Sequence, residues 1–182
     1  GFAAKTFALA DLAVHSLFSS RPAAQISTEE AYAVLSSICP KPASDVCCPP
    51  LPPLDPSIDL SIIIPAFNAE KTIDSCLQSI LQQKTNYAFE VIVANDNSSD
   101  HTGERLQAYP EIKVLTLTEP GSAARARNTG ISCAAGRYIM FVDSDDQLMP
   151  EAIQTLMDAA LQQNADIVQG GWQYLYEDGS RG

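Results

Sequence analysis

The sequence predicts an α/β protein whose core is a mostly parallel sheet with helices on both faces, preceded by short helices and a proline-rich linker. Short runs of β-branched residues alternate with segments of helical periodicity from residue 60 onward. The first such run, residues 60–64, is almost wholly apolar, which is typical of a strand buried on both faces. Strands that alternate with helices in this way favour a parallel sheet.

The first part of the chain predicts two segments of a different kind. Residues 1–39 carry apolar side chains at helical spacing, such as Leu9, Leu12 and Ala13, and they predict a helical N-terminal extension. Residues 40–57 are so rich in proline that they favour an extended linker over a helix or a ladder. The α/β domain is therefore predicted to occupy residues 58–182.

Within that domain the pattern predicts each element in order. Strands are predicted at residues 60–64, 89–93, 112–117, 138–142 and 166–168, and helices at residues 71–83, just after 98–100, at 122–135 and at 150–162. Pro65 is expected to end the first strand. Residues 98–100 are expected to cap the short helix, and Pro150 to stand in the first turn of the last one.

Charge and apolar content exclude several classes of function. The net charge of −11 and the pI near 4.4 argue against nucleic acid as a partner, because phosphate affinity comes mainly from Lys and Arg. The apolar runs are far shorter than the roughly 20 residues of a membrane-spanning helix, so no transmembrane segment is predicted.

The cysteines and histidines favour neither a zinc site nor a disulfide framework. The five cysteines form no Cys-x-x-Cys pair, and the two histidines stand far apart. Cys76 and Cys133 fall in helical patterns and are expected to be small core residues, which suits a reducing cytoplasm. Because Gly1 is not an initiator residue and no signal pattern follows it, the chain is expected to be a piece of a longer protein.

The acidic run, residues 143–146, follows a predicted buried strand. Its Asp143, Asp145 and Asp146 repel one another, so a bound Mg²⁺ or Mn²⁺ is the simplest compensation. The alternative is a solvated turn that caps the helix beginning at Pro150. Asp96 ends another predicted strand on the same edge of the sheet, and for it a turn-and-cap role is an equally open alternative.

Four segments in order resemble the motif series of family 2 glycosyltransferases: residues 61–70, 93–100, 126–130 and 136–146. The resemblance covers roughly residues 59–170. It implies a GT-A fold and an Asp-x-Asp element that holds Mg²⁺ or Mn²⁺ against the diphosphate of a nucleotide sugar.

The resemblance also implies roles for particular residues. Those expected to bind the nucleotide sugar are Pro65, Ala66, Phe67, Asn68, Glu70, Asp96, Arg127, Asp143 and Ser144, and those expected to bind metal are Asp145, as first choice, and Asp143. Asp96 is expected at the uracil or ribose. Arg127 is expected to reach the nucleotide or to order the acidic run, with an ordinary surface ion pair as the alternative, whereas Arg125 is expected to be solvated.

Two departures from the family pattern stand out. Asn97 occupies a position where glycine is common, but Asn tolerates a positive φ, so a tight turn remains possible there. The spacing from Gly121 to Arg127 is about one residue longer than usual, and no role is transferred to Gly121.

The function predicted from the resemblance is metal-dependent, inverting transfer of a sugar from a nucleotide-diphosphate donor, UDP-linked by expectation. The acceptor would be a hydroxyl of a glycan, a lipid-linked molecule or another compound, in polysaccharide biosynthesis. The catalytic base is expected downstream of Gly182. This chain is therefore expected to hold the donor-binding half of the enzyme and to catalyse sugar transfer poorly. The expected location is the cytoplasm or the inner face of the membrane, where the full-length protein would make peripheral contact.

The sequence disfavours two other classes of enzyme and leaves one non-enzymatic class open. A dinucleotide-dependent oxidoreductase is disfavoured because residues 65–72 contain no glycine for a phosphate cradle. A nucleotidyltransferase is disfavoured because the same loop is neither glycine-rich nor basic. The alternative that stays open is a non-catalytic nucleotide-binding or protein-interaction module on the same fold.

Overall fold

The computed structural model describes residues 52–119 and 121–174. The chain divides into two units, residues 1–52 and 53–182, and the fold below is that of the second. The helices predicted within residues 1–39 and most of the predicted linker lie outside the described residues, as do residues 175–182.

Strands and helices alternate through the described part of the chain. The elements are β1 (Leu60–Ala66), α1 (Ile73–Leu81), β2 (Phe89–Asn95), α2 (Thr102–Leu106), β3 (Lys113–Thr116), α3 (Ala123–Ile131), β4 (Tyr138–Phe141) and α4 (Ala152–Gln163). The strands lie in the order β3-β2-β1-β4, and every neighbouring pair is parallel. The predicted parallel sheet is therefore confirmed.

Strand β1 is buried on both faces, which explains its apolar sequence. Ile62 and Ile64 point into the larger core, where α1 and α4 pack against the sheet. Ile63 points to the opposite face, which α3 covers. A Cβ added to Gly130 of α3 would lie 2.4 Å from Cγ2 of Ile63, so glycine is what allows this helix to approach the sheet so closely. The prediction of helices on both faces is confirmed.

Helix α3 returns the chain from β3 to β4, which lies on the other side of β1. Ligands bind in α/β sheets where the strand order reverses in this way, beyond the carboxyl ends of the strands. At this end of the sheet, β4 stops before β1 does. Phe141, the last residue of β4, pairs with Ile63, whereas β1 continues to Ala66. The acidic run therefore leaves the sheet beside the last residues of β1.

The prediction that Pro65 ends the first strand is wrong. The carbonyl of Ala66 accepts the N–H of Asp96 on the β2 side, and that of Ile63 accepts the N–H of Val142 on the β4 side. Because backbone groups alternate in direction along a strand, those of Pro65 face the β4 side, where β4 has already ended. Proline fits there because the ladder to β2 needs no donor from it.

The structure differs from prediction in three further respects. Residues 166–168 form no strand, because no described strand pairs with them, and Ile167 is 83% exposed. Helix α4 begins at Ala152 after an uncapped Glu151 with φ 62°, so Pro150 lies before the helix. Cys133 follows the end of α3 and is only half-buried, whereas Cys76 is buried in α1 as predicted.

Candidate functional site

The loop after β1 is fastened to the loop after β2 by main-chain hydrogen bonds. The N–H groups of residues 68, 69 and 70 donate to Ser98 Oγ at 3.0 Å, Thr102 Oγ1 at 2.8 Å and Asp100 Oδ2 at 3.1 Å. Asp100 Oδ1 also accepts the Thr102 N–H at 3.0 Å, although the N-cap residue of α2 is His101, which forms no side-chain cap. Burial alone would raise the pKa of Asp100, but the hydrogen bonds from Thr102 and Glu70 outweigh it and lower the pKa.

Two side chains predicted to bind the nucleotide sugar make contacts within this fastening. Asn68, with φ 49°, accepts the Ser99 N–H at Oδ1 over 2.9 Å. Glu70 Oε2 accepts the His101 N–H at 3.1 Å. Both side chains therefore hold one loop to the other, and their contact with a nucleotide stays a prediction.

Phe67, in the loop after β1, exposes its aromatic ring to solvent. Its ring is 57% exposed, whereas Pro65 and Ala66 before it are buried in β1. An exposed aromatic ring beside a strand end offers a flat apolar surface.

Asp96 is a buried carboxylate at the end of β2. It is 5% exposed, and its carboxylate accepts the Gly121 N–H at 3.1 Å from both Oδ1 and Oδ2. Asn97 follows it with φ 55°, so asparagine adopts here the positive φ that the sequence left possible without glycine.

Gly121 is the site residue that sequence reasoning missed. It stands just before Ser122, whose side chain caps α3 by accepting the Arg125 N–H. Its spacing to Arg127 departs from the family pattern, and a glycine before a helix cap carries no sequence signal of its contact with a residue 25 positions away. Arg125 itself is exposed, as predicted.

Arg127 joins α3 to the acidic run. Its Nη2 donates to Asp143 Oδ1 at 2.5 Å, and the two side chains are only 22% and 8% exposed. An ordinary surface ion pair is therefore not what the structure contains. Asp96 contacts the residue before the α3 cap and Asp143 contacts Arg127, so α3 bridges the two acidic strand ends.

Cys76 of α1 supports Asp143 from the other face of the sheet. Its thiol donates to the main-chain carbonyl of Asp143 with a sulfur–oxygen distance of 3.5 Å. Burial first, and then the carboxylates of the acidic run, raise the pKa of the thiol from 9.0 to about 12. Asp143 is thus held by its carboxylate on one side and by its carbonyl on the other.

The rest of the acidic run is more open. Asp145 is exposed and Ser144 is half-buried, while the N–H of Asp146 closes a turn by donating to the carbonyl of Asp143 at 3.0 Å. Glu151, the N-cap residue of α4, forms no side-chain cap, and the Ile153 N–H in the first turn of this helix donates to Gln83 Oε1 at 3.3 Å.

The chemistry of this donor set fits a divalent cation. Among residues 52–119 and 121–174, no group of three or more His, Cys, Asp or Glu side chains forms a ready-made metal site. Mg²⁺ and Mn²⁺ do not require one, since they are commonly held by one or two carboxylates together with water and substrate phosphates. Asp143 and the exposed Asp145 are carboxylates of the kind that such a cation takes as ligands.

Comparison with known proteins shows where the chain belongs. The family model described as glycosyl transferase family 2 matches residues 61–181. The chain belongs to glycosyltransferase family 2. The uncharacterized glycosyltransferase YibD of Escherichia coli K12 is 39% identical over 114 residues, which are 60% of this chain and 33% of that protein.

A relative with a named substrate and a solved structure extend this comparison. The Escherichia coli UDP-Glc:alpha-D-GlcNAc-diphosphoundecaprenol beta-1,3-glucosyltransferase WfgD is 36% identical over 118 residues, which are 64% of this chain and 46% of WfgD. S. aureus TarS 1-349 in complex with UDP is 33% identical with a TM-score of 0.51, over 59% of this chain and 32% of TarS. The predicted GT-A class is confirmed by this fold. The chain spans less than half the length of each of these proteins.

No helix within the described residues is long and apolar enough to cross a membrane.

Proposed function

We propose that the described domain binds the donor in a metal-dependent glycosyltransferase that uses a UDP-linked sugar. The observation that carries the proposal is the pair of acidic strand ends on one edge of the sheet, Asp96 after β2 and the acidic run after β4, with β1 between them. A nucleotide diphosphate has its base at one end and its charge at the other. We assign the base to Asp96 and the diphosphate to the acidic run.

The base end is suited to uracil. A carboxylate such as that of Asp96 accepts a hydrogen bond from the N3–H of uracil, and the exposed ring of Phe67 provides a surface on which a base can stack. TarS has been solved in complex with UDP and with UDP-GlcNAc, and WfgD is named for UDP-Glc, which supports a UDP-linked donor for this chain.

The diphosphate end requires added positive charge. The protein carries a net charge of −11, and Arg127 is already paired with Asp143. We assign Mg²⁺ or Mn²⁺ to Asp145, with Asp143 as the second ligand and Ser144 beside the donor. When bound, the cation would supply the Lewis-acid charge that stabilises a nucleoside diphosphate as it leaves.

In this proposal, the side chains of the domain bind the donor, orient it and anchor the residues that contact it. Arg127 and Cys76 hold Asp143 in position from opposite faces of the sheet, and the fastened loops after β1 and β2 hold Asp96 and Phe67. We assign no catalytic base to the described residues. Inversion at the anomeric carbon, the hydroxyl acceptor and a cytoplasmic location belong to the proposal for the whole protein.

Calorimetric titration of UDP into the chain tests this function. We expect heat of binding with Mn²⁺ present, much less with EDTA, and weak or no binding of ADP in either case. Asp96→Asn should reduce UDP affinity at least about tenfold, because it replaces a charged acceptor by an amide. The control is Glu111→Gln, which removes one exposed carboxylate before β3, at the opposite end of the sheet.

A protein-interaction module on the same fold gives a different result. Nucleotide diphosphates that bind the folded state raise its melting temperature, and a module without a nucleotide site shows no such shift. Absence of both heat and thermal shift with UDP and Mn²⁺ would therefore refute the proposed donor site.

A further inference from the structure

We infer that Gly121 is a positioning residue for recognition of the base. Its main-chain N–H fixes the carboxylate of Asp96, and its lack of a side chain keeps room for that contact. This inference rests on the proposed function, since it assigns to Gly121 the control of the residue that would read uracil.

The carboxylate of Asp96 is anchored in two ways. The Asp96 N–H donates to the carbonyl of Ala66 at 2.8 Å, which fixes its main chain beside β1. The Gly121 N–H lies 3.1 Å from each carboxylate oxygen, so it bisects the group and sets its rotation. A carboxylate has about four lone-pair directions, and a single shared donor leaves the others for a ligand.

A fixed carboxylate discriminates between pyrimidines. Uracil presents a donor at N3, whereas cytosine presents an acceptor there, so an ionised carboxylate attracts the first and repels the second. A carboxylate that rotates freely points its lone pairs at N3 for only part of the time. The Gly121 N–H should therefore affect the preference for UDP over CDP in addition to the affinity.

The absent side chain of Gly121 is a second part of the arrangement. A Cβ there would lie 2.6 Å from Cδ of Arg125 and 3.3 Å from Oδ1 of Asp96. The Arg125 side chain is exposed, and its guanidinium donates to the Glu119 carbonyl at 3.3 Å, so the end of this long side chain can withdraw from an added Cβ. Asp96 is buried and cannot withdraw without losing its position.

Two substitutions separate the N–H from the missing side chain. Gly121→Pro removes the donor, and we expect it to weaken UDP binding about tenfold and to reduce the UDP-to-CDP affinity ratio, both measured by calorimetry with Mn²⁺. Gly121→Ala keeps the donor and adds the Cβ. It should weaken UDP binding about threefold, and adding Arg125→Ala should not restore that loss, because the contact that matters is the one with Asp96.

Ser122→Ala is the matched control. It weakens the cap of α3 one residue further along and leaves the Asp96 contact in place, so it should lower the melting temperature without changing the UDP-to-CDP ratio. A structural role for Gly121 alone would give the same pattern in the Gly121 variants, with an unchanged ratio.

The outcomes distinguish this inference from the proposed function. If the unmodified chain shows no preference for UDP over CDP, or if Asp96→Asn keeps that preference, the proposed function fails. If Asp96 governs the preference and folded Gly121→Pro keeps the unmodified ratio, only the inference about Gly121 fails. If Gly121→Pro does not fold, the Gly121→Ala/Arg125→Ala chain decides, since a UDP affinity equal to that of the unmodified chain there overturns the inference.

Discussion

The two acidic strand ends of this sheet are stabilised in different ways. After β2, polar groups of the protein bond to one another. The loops at residues 67–70 and 96–102 are joined by hydrogen bonds, and Asp96 accepts the Gly121 N–H. After β4, Asp143 is anchored by Arg127 and Cys76, but Asp145 projects into solvent. Under the proposed function, the first strand end would be a rigid base site, and the second would be a diphosphate site that a cation completes.

The largest expected effect on stability comes from removing the Arg127 guanidinium, which is paired with Asp143. Arg127→Ala leaves the carboxylate of Asp143 buried without its guanidinium partner, and we expect the free energy of unfolding to fall by about 3 kcal/mol in urea titrations. Arg125→Ala on the same helix is the control and should change it by less than about 0.5 kcal/mol, because that side chain is exposed.

A double substitution sharpens this result. Arg127→Ala with Asp143→Asn removes the buried charge as well as its partner, so part of the lost stability should return. Equal stability of Arg127→Ala and Arg125→Ala would show that the pair is no more important than a surface contact.

A smaller effect is expected in the fastened loops. Thr102→Val preserves the shape of this buried side chain but leaves the Ala69 N–H without its acceptor, so the free energy of unfolding should fall by about 2 kcal/mol. Thr102→Ser keeps the hydroxyl and should lose less. UDP affinity should fall with Thr102→Val if the loops position the base, and an unchanged affinity would separate loop stability from binding.

The buried Cys76 thiol, which contacts Asp143, should make the free energy of unfolding depend on pH. Since the pKa of Cys76 is raised from 9.0 to about 12, the thiol stabilises the fold fully below pH 9, and this contribution is lost as the pH rises toward 12. The stability advantage of the unmodified chain over Cys76→Ala should therefore shrink above about pH 9, by about 1 kcal/mol per pH unit. A constant or growing advantage in urea titrations at pH 8 and pH 10 would contradict this.

The sequence was a better guide to the sheet than to its edges. The β-branched residues of β1 predicted a strand buried on both faces, because burial is encoded in the side chains themselves. Pro65 was misplaced because its tolerance depends on where β4 ends, which no local pattern encodes. The strand predicted at residues 166–168 failed for a related reason, since a strand requires a partner.

In the candidate site, too, the residue types predicted some features, whereas others depend on how the loops are placed in space. Asp96, Arg127 and the acidic run were identified because their residue types and order resemble a family. Gly121 was missed because its contribution is a main-chain N–H whose target lies 25 positions away in the chain. Contacts of this kind become visible only when the loops are placed in space.

The smallest expected effect on stability belongs to Asp145. Asp145→Asn should leave the free energy of unfolding within about 0.5 kcal/mol of the unmodified chain, because the carboxylate is exposed. Its effect on binding should be the opposite, because Asp145 is the ligand proposed for the cation.

The central claim is that Asp145 holds the cation that binds the diphosphate of the donor. It is tested most directly by calorimetric titration of UDP with Mn²⁺ or with EDTA into the unmodified chain, Asp145→Asn and Glu111→Gln. We predict Mn²⁺-dependent heat for the unmodified chain and for Glu111→Gln, and little difference between Mn²⁺ and EDTA for Asp145→Asn. Equal Mn²⁺-dependent binding by Asp145→Asn and the unmodified chain would contradict the claim.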